Sequence, residues 1–333
     1  MKLLHSSPMR ALRRRWPKIK RVLPVLVLIV VAGLLYYFGR SVDWPQVWVA
    51  MRKIPGQTIA IAAGLVVAGY LAYGSLDLLG KKYTRHHLPA PKALGVAMLS
   101  YALNLNLGVL VGGLGARLRL YTRLGCRKSV ATRVALFAAA SNWIGYAWLA
   151  GILFTLGVVP VPAGWEIGSG MLRLLGIALL ALGIAYVVTC ARATRRSVTW
   201  MGHHIALPRA RMAVAQCAVA ALSWSIMGAI CYVLLQGKAS YPAVLGILLC
   251  TSFASVITRV PGGLGTTEAI FVAALGSQIP PTEVLGAALA YRAVYALAPL
   301  CLALVAYPLI ELKLGMRKRN AEAAPPAQAR RQP

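Results

Sequence analysis

A carboxylate stands just past a break in the backbone at Pro261-Gly262-Gly263-Leu264-Gly265-Thr266-Thr267-Glu268. Proline and three glycines cannot sustain a helix, so the chain must interrupt its regular structure there. Thr266 or Thr267 can cap the helix that follows, with Glu268 in its first turn. Two roles are open to Glu268. It can complement that helix dipole, or it can face a cavity and pair with a cation, a proton or an arginine. Arg292 is the candidate arginine, flanked by Tyr291 and with Tyr295 one turn on. It lies seven residues into an apolar run, roughly 10 Å below its start at about 1.5 Å per residue. A charge near a bilayer centre costs about 2.5–3.5 kcal/mol on insertion scales, so such an arginine faces a bundle interior with a partner or snorkels to the interface. Pro299 is expected to bend the same helix below it.

A second constellation mirrors the first. Gly112-Gly113-Leu114-Gly115 repeats the pattern Gly262-Gly263-Leu264-Gly265, and Arg117, Arg119, Tyr121 and Arg123 follow. On a helix Arg117 and Tyr121 share one face, and Arg119 and Arg123 share another. Guanidinium groups grip phosphate bidentately, which suits a lipid head group. The alternative is a solvated basic face that fixes topology. Asp77, Asn104, Asn106, Ser141 and Asn142 interrupt apolar runs and are read as hydrogen-bonding between helices. Asp77 falls near the end of its run, where exposure is cheap.

Other chemistry is not expected. The six cysteines form no Cys-x-x-Cys pair and behave as small hydrophobes. His86-His87 and His203-His204 are adjacent pairs whose side chains do not share a face. No phosphate-binding loop, nucleophile elbow or His-Glu-x-x-His stands in the chain, so neither a cofactor, a metal site nor an enzyme is expected.

The elements that must hold these residues follow from composition. Hydrophobic residues make up 59% of the 333, and the mean hydropathy is +0.68, beyond what a soluble surface allows. Apolar runs fall at about 22–38, 58–79, 93–113, 130–157, 171–191, 212–235, 242–258, 267–276 and 285–310. The first follows a basic stretch and lacks a cleavage pattern, so it reads as an uncleaved signal anchor.

Charge sets the topology. The chain has 36 Lys and Arg against 7 Asp and Glu. Twenty-eight of the 36 lie in 1–21, 80–92, 112–129, 192–211 and 312–333. Placement between apolar runs points to orientation and anionic lipid, not to nucleic acid. Simple alternation would put the basic connection 112–129 outside. The conflict vanishes if 93–127 dips in and returns, and if 242–276 does the same from the other face. The expected fold is therefore an all-α polytopic membrane protein with six full transmembrane helices and two oppositely oriented re-entrant hairpins in an inverted repeat, with eight crossings as the alternative. The hairpin breaks are assigned to Gly112, Gly113 and Gly115, and to Pro261, Gly262, Gly263 and Gly265. Residues 1–21 form a basic cytoplasmic N-terminus, 22–311 one transmembrane domain, and 312–333 a basic cytoplasmic tail expected to be disordered.

The motifs at 42–44, 73–79, 112–125, 142–146, 261–271 and 291–292 resemble those of the lysylphosphatidylglycerol synthase transmembrane-region family. The likeness runs from about residue 15 to 318. Bifunctional members of that family join this region to a soluble lysyl-transferase domain, and the membrane region is similar to a flippase for the aminoacylated lipid. About 22 residues follow Glu311, so lysyl transfer is not expected. Relatives place a glutamate where this chain has Ala116, which is a departure in the first repeat. The resemblance implies a phospholipid translocase of the bacterial inner membrane, with both termini cytoplasmic. It would pass an anionic or aminoacylated head group between the hairpins, with Arg117, Arg119, Tyr121, Glu268, Tyr291, Arg292 and Tyr295 as substrate-binding residues and membrane phospholipids as partners. The other reading is a non-transporting partner or regulator of a phospholipid synthase, such as a cardiolipin synthase.

Overall fold

The computed structural model describes residues 44–160, 168–193, 197–200, 203–258, 263 and 265–323. Apart from a two-stranded antiparallel hairpin, β1 (Ser197–Trp200) with β2 (His203–Ala206), the regular elements are helical. In chain order they are α1 (Trp44–Lys53), α2 (Gly56–Thr84), α3 (Ala90–Gly108), a π-helical stretch Val109–Gly115, α4 (Ala116–Arg123), α5 (Lys128–Leu156) and α6 (Ser169–Arg192). After the β-hairpin come α7 (Ala210–Leu234), α8 (Tyr241–Thr258), α9 (Thr266–Leu275) and α10 (Pro281–Tyr291). The last of these runs through a π-helical turn, Arg292–Leu297, into α11 (Ala298–Ala323).

Among the described residues five helices are long and apolar enough to cross a membrane: Gly56–Thr84, Lys128–Leu156, Ser169–Arg192, Ala210–Leu234 and Pro281–Met316. They coincide with five of the six expected crossings. The sixth, 22–38, lies outside the described residues. Their boundaries follow local chemistry. Prolines 55, 89 and 280 stand immediately before α2, α3 and α10, where a missing N–H costs nothing. Gly157 ends α5 with φ 68°, its N–H returning to the Phe154 carbonyl.

Each half places two shorter helices between two long ones: α2, α3–α4, α5 in the first, and α7, α8–α9, α10 in the second. The chain reverses in both short pairs. Gly112 and Gly113 lie against Leu103 and Asn104, and the end of α4 comes back beside the start of α3. In the second pair Gly263 lies against Ser255 and Thr267, and α9 packs on α8.

The first break is displaced from its expected position. Gly108, with φ 79°, makes the reversal, while Gly112, Gly113 and Gly115 belong to the π-helical stretch after it. At Gly112 and Gly113 glycine serves close approach: a Cβ on Gly112 would lie 2.2 Å from the Leu103 carbonyl oxygen. In the second pair Gly263 and Gly265 have φ 60° and 77°, as a break requires. Pro261 and Gly262 lie outside the described residues. Of the tail expected to be disordered, residues 312–323 continue α11 to Ala323, and the rest lies outside the described residues. Leu, Lys, Met, Arg, Ala and Glu occur in that stretch and favour a helix.

Helix α6 is the outlier of the bundle. Only Gly176, Gly183 and Cys190 are buried on it, and the rest of its apolar surface, Leu174 and Leu182 among it, is exposed. Such a face suits lipid rather than water.

Candidate functional site

Most of the candidate residues gather around two ion pairs, each tied to one of the reversed helix pairs. In the second half Glu268 stands in the first turn of α9, and Arg292 begins the π-helical turn of the last long helix. Arg292 Nη1 lies 3.1 Å from Glu268 Oε1, and Nη2 donates to the Gly263 carbonyl at 2.9 Å. The side chains are 11% and 10% exposed. The broken backbone thus contributes directly: it turns a carbonyl toward the guanidinium that a continuous helix would have used internally. Among the described residues neither carboxylate oxygen of Glu268 accepts a hydrogen bond of ordinary geometry. Its link to Arg292 is therefore chiefly coulombic.

In the first half Arg117 on α4 lies 3.5 Å from Asp77 on α2, at 4% and 0% exposure. Tyr121, one turn past Arg117, donates to the other Asp77 oxygen at 2.8 Å. Asp77 is not near-surface as its position in the run suggested. The α4 helix folds back over the end of α2 and seals it. A buried carboxylate survives there only with both a cation and a hydrogen-bond donor, and it has both.

Arg119 and Arg123 turn the other way. Arg119 Nε meets Glu311 of α11 at 2.7 Å and Arg123 meets it at 3.3 Å. The structure therefore separates Arg117 and Tyr121 from Arg119: the first two join Asp77 within the protein, and the third clamps α4 to the last helix. Arg119 and Arg123 remain partly exposed.

A seam of phenols runs between the two pairs. The Arg117 guanidinium lies 5.8 Å from the Tyr73 ring centre. Tyr73 stacks on Tyr101 at 3.6 Å. The Tyr101 and Tyr295 hydroxyls are 2.8 Å apart, and Tyr295 stacks with Tyr291 at 5.2 Å, next in sequence to Arg292. Tyr70 closes the group, packing on both Tyr101 and Tyr295. Its hydroxyl donates to the Tyr295 carbonyl at 3.1 Å. Pro299, four residues on, has no N–H to give that carbonyl. The proline's effect on the helix is thus met by a side chain from α2. Asn106 does the same for the Ala296 carbonyl at 3.1 Å.

Sequence reasoning placed Tyr291, Tyr295, Glu268, Arg292, Arg117 and Tyr121 near the site and passed over Tyr70, Tyr73 and Tyr101. A signal was present. Tyr70, Tyr73 and Asp77 recur at i, i+3 and i+7, which is one helix face. Ser141 belongs elsewhere, in a buried relay in which Gln216 donates to it at 2.7 Å and Tyr186 donates to Gln216 at 2.7 Å. Among the described residues no three His, Cys, Asp or Glu side chains gather as a metal would need.

Residues 24–303 match the lysylphosphatidylglycerol synthase transmembrane region. Inner membrane protein YbhN of Escherichia coli is 41% identical over 311 residues, which cover 93% of this chain and 98% of that protein. An uncharacterized protein of Synechocystis is 28% identical over 316 residues, covering 92% of this chain and 97% of that one.

Proposed function

The chain belongs to the lysylphosphatidylglycerol synthase transmembrane-region family, and from that premise we propose that this membrane-embedded protein moves phospholipid head groups across the bacterial inner membrane. The observation that carries the reading is Arg292. It is largely buried, it stands on a π-helical turn, and it is paired with a carboxylate that accepts no ordinary hydrogen bond among the described residues. Ionisable groups at such depth mark substrate or ion pathways.

A lipid phosphate offers Arg292 what Glu268 offers, and with better geometry. Two phosphate oxygens match the two guanidinium nitrogens. An anionic head group would displace Glu268, and an aminoacylated one would keep it by placing its ammonium on the carboxylate. The acyl chains remain in hydrocarbon. The reversed pairs α3–α4 and α8–α9 are read as re-entrant hairpins of opposite orientation, giving six crossings and cytoplasmic termini. The basic connections at 80–92, 112–129 and 192–211 support that orientation, and broken helices in both halves support an inverted-repeat carrier. The chain carries no nucleotide-binding motif, so the driving force is a gradient or lipid supply.

The test is head-group scrambling by the purified protein in phosphatidylcholine vesicles doped with fluorescent phosphatidylglycerol. Wild type should equilibrate the label between leaflets. Arg292→Gln should slow it about 10-fold or more, the worth of one charge-assisted contact. Absence of scrambling by wild type would remove the carrier reading and leave a membrane partner of a phospholipid synthase.

A further inference from the structure

Away from the Glu268–Arg292 pair, the start of α3, the end of α4 and the far part of α11 enclose a groove of about 550 Å³. Its wall is apolar, with Val96, Leu99, Leu120, Leu124, Ile310 and Leu314. Lys92 and Lys313 also line it. Both are exposed, and neither takes part in a salt bridge among the described residues. The one acid close in sequence to Lys313 is Glu311, and Arg119 and Arg123 already hold it. The groove is therefore apolar within and cationic where the lysines lie.

That combination selects its ligand. A volume of this order takes a small molecule or one lipid chain. Two ammonium groups beside it demand an anion joined to hydrocarbon. In a membrane-embedded chain that is a phospholipid. We propose that the groove binds one anionic phospholipid, an acyl chain lying along α3 and α11 and the phosphate held by Lys92 and Lys313. A net-negative head group such as phosphatidylglycerol fits better than phosphatidylcholine, whose trimethylammonium would face the two lysines. The site is separate from the buried arginine pair and stands whether or not the chain moves lipid.

Gly95 makes the proposal testable. It lines the groove, and a Cβ built there meets no atom within 4 Å. A larger side chain at this position grows into the groove, not into the protein. Leucine also favours the helix over glycine. Gly95→Leu should therefore fill the site and leave the fold intact.

The experiment is native mass spectrometry of the purified full chain in detergent, titrated with phosphatidylglycerol or phosphatidylcholine of matched acyl chains. Wild type should carry one phosphatidylglycerol, bound about 10-fold or more tightly than phosphatidylcholine, as two basic contacts provide. One adduct should be kept in Arg292→Gln, and in that background lost on adding Gly95→Leu or Lys92→Gln/Lys313→Gln. Should Gly95→Leu lower the melting temperature, the lysine variant decides, since both of its side chains are exposed. Equal binding of the two lipids overturns the proposal, as does an adduct that survives the lysine variant in the Arg292→Gln background. Loss of the adduct in Arg292→Gln alone would assign it to the buried pair and also overturn the proposal.

Discussion

The two halves solve the same problem with their acids and bases exchanged. In the first, the carboxylate Asp77 stands on a continuous long helix and the arginine on the returning short one. In the second, the carboxylate Glu268 stands on the returning short helix and the arginine on the long one. The environments differ as well. Asp77 has no exposure, and Tyr121 donates to it. Glu268 is slightly exposed and receives no ordinary hydrogen bond among the described residues. A fully buried pair whose carboxylate also accepts a phenol hydrogen bond suits a fixed brace. A pair whose carboxylate accepts no ordinary hydrogen bond among the described residues, beside a broken backbone, can exchange partners. On the proposed carrier reading, the first pair serves chiefly stability and the second chiefly turnover.

The largest effect expected from that assignment is on stability. Arg117→Met leaves Asp77 buried without its cation and should cost about 3–5 kcal/mol. Thermal unfolding of the purified protein in detergent measures it. Asp77→Leu/Arg117→Met should recover most of the loss, because an apolar pair replaces a buried ionic one with little penalty. Arg292→Gln should cost clearly less stability and instead slow scrambling about 10-fold or more. Equal destabilisation by Arg117→Met and Arg292→Gln would erase the distinction between the halves.

A smaller effect tests whether the halves communicate. Tyr101→Phe keeps the stack on Tyr73 and removes the 2.8 Å contact with the Tyr295 hydroxyl. It should cost about 1 kcal/mol. If the phenol seam links the two pairs, a double-mutant cycle of Tyr101→Phe with Arg117→Met should show coupling above about 0.5 kcal/mol. Strict additivity would make the seam ordinary packing between two independent pairs.

How much of this was legible in the sequence differs between the halves for a physical reason. Hydropathy marks a long helix by its length alone, and five of the expected crossings coincide with the five long apolar helices described. The pairing of Glu268 with Arg292 was also legible, since each is an isolated charge in an apolar run and needs a partner. Asp77 was misread because its exposure depends on α4 folding back over it, which is tertiary information. The reversal at Gly108 was misassigned to 112–115 for a related reason. A glycine that permits φ 79° and a glycine that permits close approach to Leu103 look alike in sequence. Glu311 stayed hidden because its partners Arg119 and Arg123 lie almost two hundred residues away.

The smallest effect probes the outer edge of the first pair. His86, in the turn after α2, is 8% exposed, and its ring packs edge-on against Tyr121 at 5.6 Å. Its Nδ1 accepts the Leu88 N–H at 3.2 Å, which a protonated imidazole cannot do. Burial, then the Lys81 charge and His87, hold its pKa below the ordinary 6.5. A histidine with a depressed folded-state pKa contributes stability that is fully present above about pH 6.5 and lost as pH falls below it. The loss should be at most about 1 kcal/mol, for a single group of this kind. It should reach Tyr121 and Asp77 and leave the Glu268–Arg292 pair alone. His86→Gln keeps an acceptor for Leu88 and cannot titrate. Melting temperatures recorded from about pH 7.5 to about 5.5 should fall more steeply for wild type than for that variant. The difference should persist in Arg292→Gln and also in Asp77→Leu/Arg117→Met, since burial, Lys81 and His87 set the shift. If it vanished in Arg292→Gln, the turn would report on the second pair, and the division of labour between the halves would have to be reversed.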